Sequence, residues 1–385
     1  MNALSLRAGH RNGGLFCCTL LGIVFLPLAI LPAAGQTQDT SGASQPAQPP
    51  VSTLSRHEIA ELTTKAEAGD ASAQFQLGQA YRGGNGVPQN VEVAYKWIRK
   101  AADQGNAAAQ NLVGTMYRLG EGVRRDKEEA VRWYQKAARQ GSGDAMFNLG
   151  TCYYNGDGVD SSEYTAFAWF LIAQEAGSPF AGEAVKRSAA TMRKRETAEI
   201  FVQIGDLYDK GEEIPRDESR AVAWLRKAAA DSPQGKVRLA VQLVKGPDGK
   251  SHYAEAMELC KAAGGDYAPA QRARGYFYRT GIGVARNPGE AVKWYKKAAQ
   301  RNDGLALVEL AEMYEAGEGT KVDRPEAFIA YFRAGRLGVK GASRKALSLW
   351  KQMGKEDQGR TAKKLRTQFL DPDKVITALE AQPSS

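Results

Sequence analysis

Apolar residues recur along this chain at a step of 36 residues. The residues that mark the step are aromatic: Tyr81, Tyr117 and Tyr153, then Trp97, Trp133 and Trp169. Turn glycines keep the same step, at Gly86, Gly122 and Gly158. A fixed period between about 20 and 50 residues is typical of tandem repeats that stack on one another. We therefore expect an array whose function lies on a surface rather than in one pocket.

Within one period the apolar pattern predicts two helices joined by a glycine turn. From Ala73 to Tyr81, apolar or small residues lie at i, i+4, i+5 and i+8, which is one face of a helix. This helix is expected to end near Gly84, because glycine adopts positive φ angles without steric cost. The second helix begins at a residue whose side-chain oxygen can cap free amides: Asn90, Asp126, Ser162, Asp217, Asn287 and Asp323. Three glutamates, three residues later, predict capping boxes: Glu129, Glu290 and Glu326.

Small and large residues alternate where the helices should pack. Glycine stands at the same place in four first helices, where it would admit a neighbouring helix at close range: Gly78, Gly114, Gly150 and Gly205. In the second helices, large Trp or Tyr rings are interspersed with Ala, as in Ala130, Trp133 and Ala137. Alternating sizes fill the space between stacked helices, so these aromatic residues are predicted to form the core.

The pattern A-x-x-x-L-G-x-x-Y-x-x-G-x-G-V, followed by D/N-x-x-x-A-x-x-W-Y-x-K-A-A, resembles the Sel1-like repeat. Units are counted at about 66–101, 102–137, 138–173, 200–229, 231–263, 264–299 and 300–335. The resemblance implies an all-α fold, a right-handed α-solenoid of stacked, TPR-like helix–turn–helix repeats. It also implies assembly with protein partners, and together with the leader described next it predicts a secreted or periplasmic bacterial member of the family.

The first 35 residues are typical of a secretory signal peptide. Arg7 and Arg11 precede an apolar run that ends in small residues, which predicts cleavage near Gly35-Gln36 and a periplasmic mature chain. An uncleaved membrane anchor is the alternative, although Pro27 interrupts a run already short for a bilayer span.

The remaining chain divides by composition and period. The predicted parts are a flexible Pro/Ser-rich linker at 36–55, repeats 1–3 at 56–177, a basic helical insertion at 178–199, repeats 4–7 at 200–335, a degenerate basic repeat or cap at 336–369 and a C-terminal tail at 370–385. The insertion carries Lys186, Arg187, Arg193, Lys194 and Arg195, and whether it divides the solenoid stays open. A surface helix with a solvated charged face is the simplest interpretation of it.

The net charge of +9 is concentrated near the C-terminus. The segment from Arg336 to Phe369 contains ten Lys or Arg residues and only two acidic residues, Glu356 and Asp357. Five of these basic residues are candidates for binding an anionic partner: Arg344, Lys345, Lys351, Lys363 and Lys364. Secretion argues against nucleic acid, leaving an anionic lipid, an anionic polysaccharide, peptidoglycan or an acidic protein surface as the partner. A polar outer face of a terminal repeat explains the same residues equally well.

Catalytic and metal-binding patterns are sparse after the leader. His57 and His252 are too few for a His-based triad or metal site, so no cofactor and no metal are expected. Cys152 and Cys260 stand alone among apolar positions and are interpreted as buried free thiols. Ser348 and Lys351 form an S-x-x-K match without its companion motifs. Residues 246–251 lack the first glycine of a phosphate-binding loop and are interpreted as a turn.

The functional hypothesis is a periplasmic scaffold or adaptor. Its partner-binding residues are predicted on the inner face of the first helices, outside the packing framework: Phe75, Gln76, Gln79, Arg82, Asn111, Thr115, Arg118, Phe147, Asn148, Thr151 and Tyr154. The family resemblance suggests regulation of a membrane signalling protein that controls envelope or exopolysaccharide functions. The alternatives are a structural role in polysaccharide export or cell-wall organisation and, with less support, a cell-wall hydrolase.

Overall fold

The computed structural model describes residues 53–245, 249–367 and 370–381 of this 385-residue chain. The predicted signal peptide, the linker up to residue 52, residues 246–248 of the fifth turn and the last four residues lie outside the described ranges. Within those ranges the regular structure is helical, without a β-strand. No helix there is both long and apolar enough to cross a bilayer.

Nineteen α-helices follow one another in the described residues. They are α1 Arg56–Glu67, α2 Ala71–Gly83, α3 Val91–Asp103, α4 Ala107–Leu119, α5 Lys127–Ala138, α6 Gly143–Asn155, α7 Glu163–Glu175, α8 Ala181–Thr191, α9 Lys194–Lys210, α10 Glu218–Asp231, α11 Pro233–Lys245, α12 Tyr253–Ala262, α13 Ala268–Thr280, α14 Pro288–Gln300, α15 Gly304–Ala316, α16 Arg324–Arg336, α17 Ala342–Gln352, α18 Lys355–Thr367 and α19 Pro372–Glu380. A short 3₁₀ helix, Gly249–His252, precedes α12.

The helices pack as consecutive hairpins. The two helices of each repeat are α2 with α3, α4 with α5, α6 with α7, α9 with α10, α11 with α12, α13 with α14, and α15 with α16. The second helix of a repeat also packs on the first helix of the next, as α3 does on α4 and α14 on α15. Stacked hairpins of this kind form an α-solenoid, which confirms the predicted all-α repeat fold.

The predicted helix starts are confirmed, whereas the predicted capping boxes are wrong. All six predicted capping residues accept a hydrogen bond from the backbone amide three residues later; for Asp126 the distance from its Oδ1 to Glu129 N is 2.8 Å. The amide of Asp126 itself donates to Tyr117 O at 3.0 Å, so it has no need of the Glu129 carboxylate. The three glutamates contact basic residues instead: Arg132, Lys293 and Lys364.

Two kinds of glycine hold the hairpins at close range. A Cβ added at Gly114 in α4 would lie 2.7 Å from the Tyr134 ring of α5, so only glycine admits that ring, as predicted. Gly122 has a φ of 68° and a Cβ added there would lie 2.2 Å from Val91 O, at the start of the preceding repeat's second helix. The turn glycine therefore fixes the contact between successive repeats.

The basic insertion does not interrupt the stack. Its helix α8 packs on α7, and α7 also contacts α9 directly. One apolar core continues across the junction from Tyr134 through Ile204 to Trp224. The Glu175 carboxylate at the end of α7 accepts hydrogen bonds from Trp224 Nε1 at 2.7 Å and from the Tyr208 hydroxyl at 3.1 Å. All five basic residues named above for the insertion are exposed.

The C-terminal end is helical beyond the last full repeat. Helices α17 and α18 both pack on α16. The segment treated above as a tail contains α19, whose Val375 and Leu379 are buried in the same core as Phe328. This end of the solenoid is therefore covered by three helices rather than by a single pair.

Candidate protein-binding surface

The eleven predicted partner-binding residues lie on the first helices of repeats 1–3, which are α2, α4 and α6. Three of them are exposed, namely Gln76, Gln79 and Tyr154, and the other eight are half-buried. Their shared place in each helix follows from the repeat period. Their contacts divide them into residues that hold the fold and residues that are available to a partner.

Six of the residues form what we call the uncharged surface: Gln76, Gln79, Asn111, Thr115, Asn148 and Thr151. Asn148 Nδ2 donates to Asn111 Oδ1 at 2.8 Å, which links α6 to α4. Thr115 and Thr151 donate to backbone carbonyls one turn earlier in their own helices, at 3.2 and 3.1 Å. Neither glutamine makes a side-chain hydrogen bond to another described residue. This surface thus offers amides and hydroxyls without a net charge.

Other predicted residues are taken up by packing or ion pairs. The Arg82 guanidinium binds both oxygens of Glu121 in the next turn, at 2.8 and 2.9 Å. Phe75 packs against the core of the first two repeats, which includes Val113. Arg118 Nε donates to the Tyr134 hydroxyl at 3.4 Å. These side chains therefore hold helices together within or between repeats, and they contribute less surface to a partner than the sequence suggested.

An aromatic cluster borders the uncharged surface at repeat 3. The ring centroid of Phe147 lies 5.5 Å from that of Phe170 and 5.8 Å from that of Phe180. Phe180 is 61% exposed although it is a large apolar residue. It stands at the start of the insertion, where the basic residues dominated the sequence pattern. The only signal in the sequence was an isolated Phe in a polar, helix-starting segment.

Repeats 4 and 7 carry a charged residue at the first-helix place that Gln79, Thr115 and Thr151 occupy in repeats 1–3, namely Asp206 on α9 and Glu312 on α15. Asp206 binds Arg238 on α11, and Glu312 binds Lys345 on α17 at 2.8 Å. Glu309 on α15, at the place of Gln76 and Asn148, binds Arg279 of α13 at 2.7 Å, and Arg279 also binds Glu318 at 2.8 Å. Burial lowers the pKa of Arg279, but the hydrogen bond to Glu318 and the negative charges of Glu318 and Glu309 together outweigh it and raise the pKa above its ordinary value. The two halves of the first-helix surface therefore differ in chemistry.

The isolated cysteines have the surroundings of structural residues. Cys152 and Cys260 are buried and unpaired, and burial raises the pKa of each thiol to about 12. A thiol nucleophile needs a lowered pKa and access to substrate, so these positions are unsuited to covalent catalysis.

The other chemical candidates are also dispersed. Ser348 accepts a hydrogen bond from Gln352 at 3.1 Å, and no bond joins its hydroxyl to Lys351 within the described chain. His252 lies 3.4 Å from Glu255 and caps α12 without a side-chain hydrogen bond. Among the described residues, no group of three or more His, Cys, Asp or Glu side chains is arranged to hold a metal ion.

The basic cap is partly neutralised by the preceding repeat. Lys345 binds Glu312 at 2.8 Å, and Lys364 binds Glu326. Arg344 and Lys351 are exposed on α17, and Lys363 is exposed on α18. Two of the five predicted anion-binding side chains therefore join the cap to repeat 7, a role that the charge pattern alone could not reveal.

Known proteins share the repeat over limited lengths. The putative sel1-like repeat-containing protein R815 of Acanthamoeba polyphaga mimivirus is 37% identical over 65 residues, which are 17% of this chain and 12% of that protein. The structure of c5321, a protective antigen of uropathogenic Escherichia coli with an SLR fold, is 26% identical; the match covers 83% of this chain and 78% of c5321, with a TM-score of 0.38. A Sel1 repeat protein from Oxalobacter formigenes is 25% identical over 76% of this chain and 80% of its own, with a TM-score of 0.35.

The family assignment rests on the repeats themselves. The family model described as Sel1 repeat matches six segments that together exceed half of the chain: 71–106, 107–142, 143–178, 202–232, 268–303 and 304–339. Each matched segment covers the two helices of one hairpin described above, except that segment 202–232 begins within α9. The fifth unit, counted at 231–263, has the hairpin α11–α12 but lies outside the matched segments. The chain belongs to the Sel1 repeat family.

Proposed function

We propose that this protein is a binding scaffold whose uncharged surface on repeats 1–3 holds an extended segment of a partner protein. Sel1 repeats generally mediate protein–protein interaction and are typically non-catalytic, which supports a scaffold over a hydrolase. The observation that carries the choice of surface is the contrast between the two halves of the array. Repeats 1–3 present uncharged amides and hydroxyls, whereas equivalent places in repeats 4 and 7 are held by Asp206, Glu309 and Glu312, each of which is in an ion pair.

The chemistry of the uncharged surface suits an extended backbone. Amide side chains both donate and accept hydrogen bonds, so they match the N–H and C=O groups of a peptide. Desolvating uncharged polar groups costs less than desolvating ions, which favours docking here over the ion-paired half. Phe180 and Phe147 at one end offer an apolar contact for a large side chain of the partner.

The proposal includes a location and a partner class. The pattern of residues 1–35 supports export and cleavage near Gly35-Gln36, which would leave the repeats in the periplasm. The partner would then be a periplasmic protein or the external domain of a membrane signalling protein that controls envelope or exopolysaccharide functions. This part of the proposal rests on the leader and on the family resemblance.

Crosslinking in intact cells tests the proposal. Photoreactive probes would replace Gln79, Thr115 and Thr151, one on each first helix, and the captured proteins would be identified by mass spectrometry. A probe at Arg132, exposed on the second helix α5, is the control. We expect one dominant protein from the three first-helix positions and not from Arg132. The same set of proteins from all four positions would contradict a docking surface on the first helices.

A further inference from the structure

Helix α18 carries basic residues on two different faces. At about 3.6 residues per turn, Lys355, Lys363 and Arg366 fall within roughly a quarter of its circumference. Arg360 and Lys364 lie on the side of the helix that faces repeat 7. The buried residues Thr361 and Leu365 lie opposite the first group.

The two faces differ in their ionic partners. Lys364 binds Glu326, and Arg360 lies 3.9 Å from Asp323 and 3.3 Å from Asp357. Lys355, Lys363 and Arg366 are exposed and make no ion pair with another residue in the described part of the chain. Glu356, in the first turn, stands at the edge of this group and leaves it with a net positive charge.

We propose that the face of α18 formed by Lys355, Gly359, Lys363 and Arg366 binds an anionic, carboxylate-bearing polysaccharide. The charges are complementary, and the three cations spread over about 16 Å along the helix, so successive acid groups of one polymer can reach them. Gly359 lies between the cations without a side chain, which leaves the polymer backbone free to approach. This inference is independent of the protein-binding surface on repeats 1–3.

The composition of the face favours a hydrated polymer over a protein or a bilayer. It contains no aromatic or large aliphatic side chain, whereas the energy of protein interfaces is concentrated in such residues. Peripheral helices hold membranes through apolar side chains or through clusters of about four to eight basic residues. Three separated cations, on a face without large apolar side chains, can bind a polymer whose negative charges repeat along its length.

The test compares two variants of the full chain with the same change in charge. The first is Lys355→Gln with Lys363→Gln and Arg366→Gln. The control is Lys96→Gln with Lys186→Gln and Lys194→Gln, three exposed lysines on α3, α8 and α9. Binding to polygalacturonate oligomers would be measured by calorimetry at low and high salt, with neutral dextran as the uncharged probe.

We expect the parent to bind polygalacturonate and not dextran, with an affinity that falls as salt screens the charges. The α18 variant should bind about tenfold more weakly or worse, and the control within about twofold of the parent. Equal losses in both variants, or none in the α18 variant, would overturn the proposal. Tighter binding of the parent to phosphatidylglycerol vesicles or to a DNA duplex, at equal anion concentration, would also overturn it. Circular dichroism of both variants establishes that they fold.

Discussion

Two buried tyrosines at the same repeat position have different surroundings. The Tyr134 hydroxyl has Thr115 Oγ1 at 3.2 Å and Arg118 Nε at 3.4 Å. The Tyr295 hydroxyl has no hydrogen-bond partner among the described residues, because the equivalent arginine, Arg279, binds Glu309 and Glu318 instead. A buried polar group without a partner costs about 1–3 kcal/mol, so the two hydroxyls should affect stability in opposite directions.

Phenylalanine at each position tests this contrast. We expect Tyr134→Phe to lower the free energy of unfolding by about 1 kcal/mol and Tyr295→Phe to leave it unchanged or raise it. The measurement is the urea midpoint of each variant, followed by circular dichroism. A loss of stability in Tyr295→Phe equal to that in Tyr134→Phe would show that both hydroxyls find partners in solution.

A series of buried glutamines provides a second residue-level prediction. Gln104 donates to Gln74 Oε1, and Gln140 to Gln110 Oε1, each at 2.7 Å. At the equivalent place in repeat 6, Arg301 binds Asp266, and Gln271 Oε1 has no hydrogen-bond partner in the described part of the chain. Since the exposed Arg301–Asp266 pair contributes little, Arg301→Gln should raise stability by about 1 kcal/mol.

Alanine at the same position separates the restored hydrogen bond from the removed charge. Arg301→Ala deletes the guanidinium without supplying an amide, so it should show no gain in the urea midpoint. If the glutamine and alanine variants are equally stable, the amide bridge seen in the first two repeats does not form at Gln271.

Helix starts and ends were readable from sequence because they depend on local chemistry. The capping oxygens of the second helices accept hydrogen bonds from amides three residues later, and the Gly84 amide donates to the Ala80 carbonyl four residues earlier. The capping boxes failed because the competing acceptor, a tyrosine carbonyl such as Tyr117 O, belongs to the preceding helix. The sequence pattern could not reveal hydrogen-bond acceptors that lie outside the local segment.

At the scale of elements, the junction around α8 depends on one carboxylate. Glu175 joins α7 to the fourth repeat through Trp224 and Tyr208. The sequence predicted a helical, basic insertion, but its packing on α7 and the direct contact of α7 with α9 are tertiary facts. The apolar pattern of α8 was too short to indicate which neighbour it would cover.

Removing this carboxylate should loosen the junction locally. Glu175→Ala leaves the Trp224 indole N–H and the Tyr208 hydroxyl without their acceptor, a cost of about 1–3 kcal/mol. Hydrogen exchange should speed up in α7, α9 and α10 and stay unchanged in α2 to α4. Gln174→Ala, an exposed neighbour on the same helix, is the control. Faster exchange along the whole array, or in neither region, would contradict a local role for Glu175.

At the scale of the whole molecule, the period predicted the solenoid and the helices that carry the candidate surface. Periodicity identifies which residues share a place in each repeat, and all eleven candidates do lie on α2, α4 and α6. It could not show which of these residues already form contacts within the protein. Arg82 is bound by Glu121, and Lys345 by Glu312, across gaps of more than 30 residues. Because ion pairs between repeats depend on both partners, each had to be located in three dimensions.

We propose that a partner binds the first-helix surface of repeats 1–3, which is uncharged, and not that of repeats 4–7. The most direct test extends the crosslinking experiment to equivalent positions, because Asp206 and Glu312 stand in repeats 4 and 7 where Gln79, Thr115 and Thr151 stand in repeats 1–3. We expect one dominant captured protein from the probes at Gln79, Thr115 and Thr151, and little of it from the probes at Asp206 or Glu312. Equal capture of that protein from both halves, or capture from the charged half alone, would contradict it.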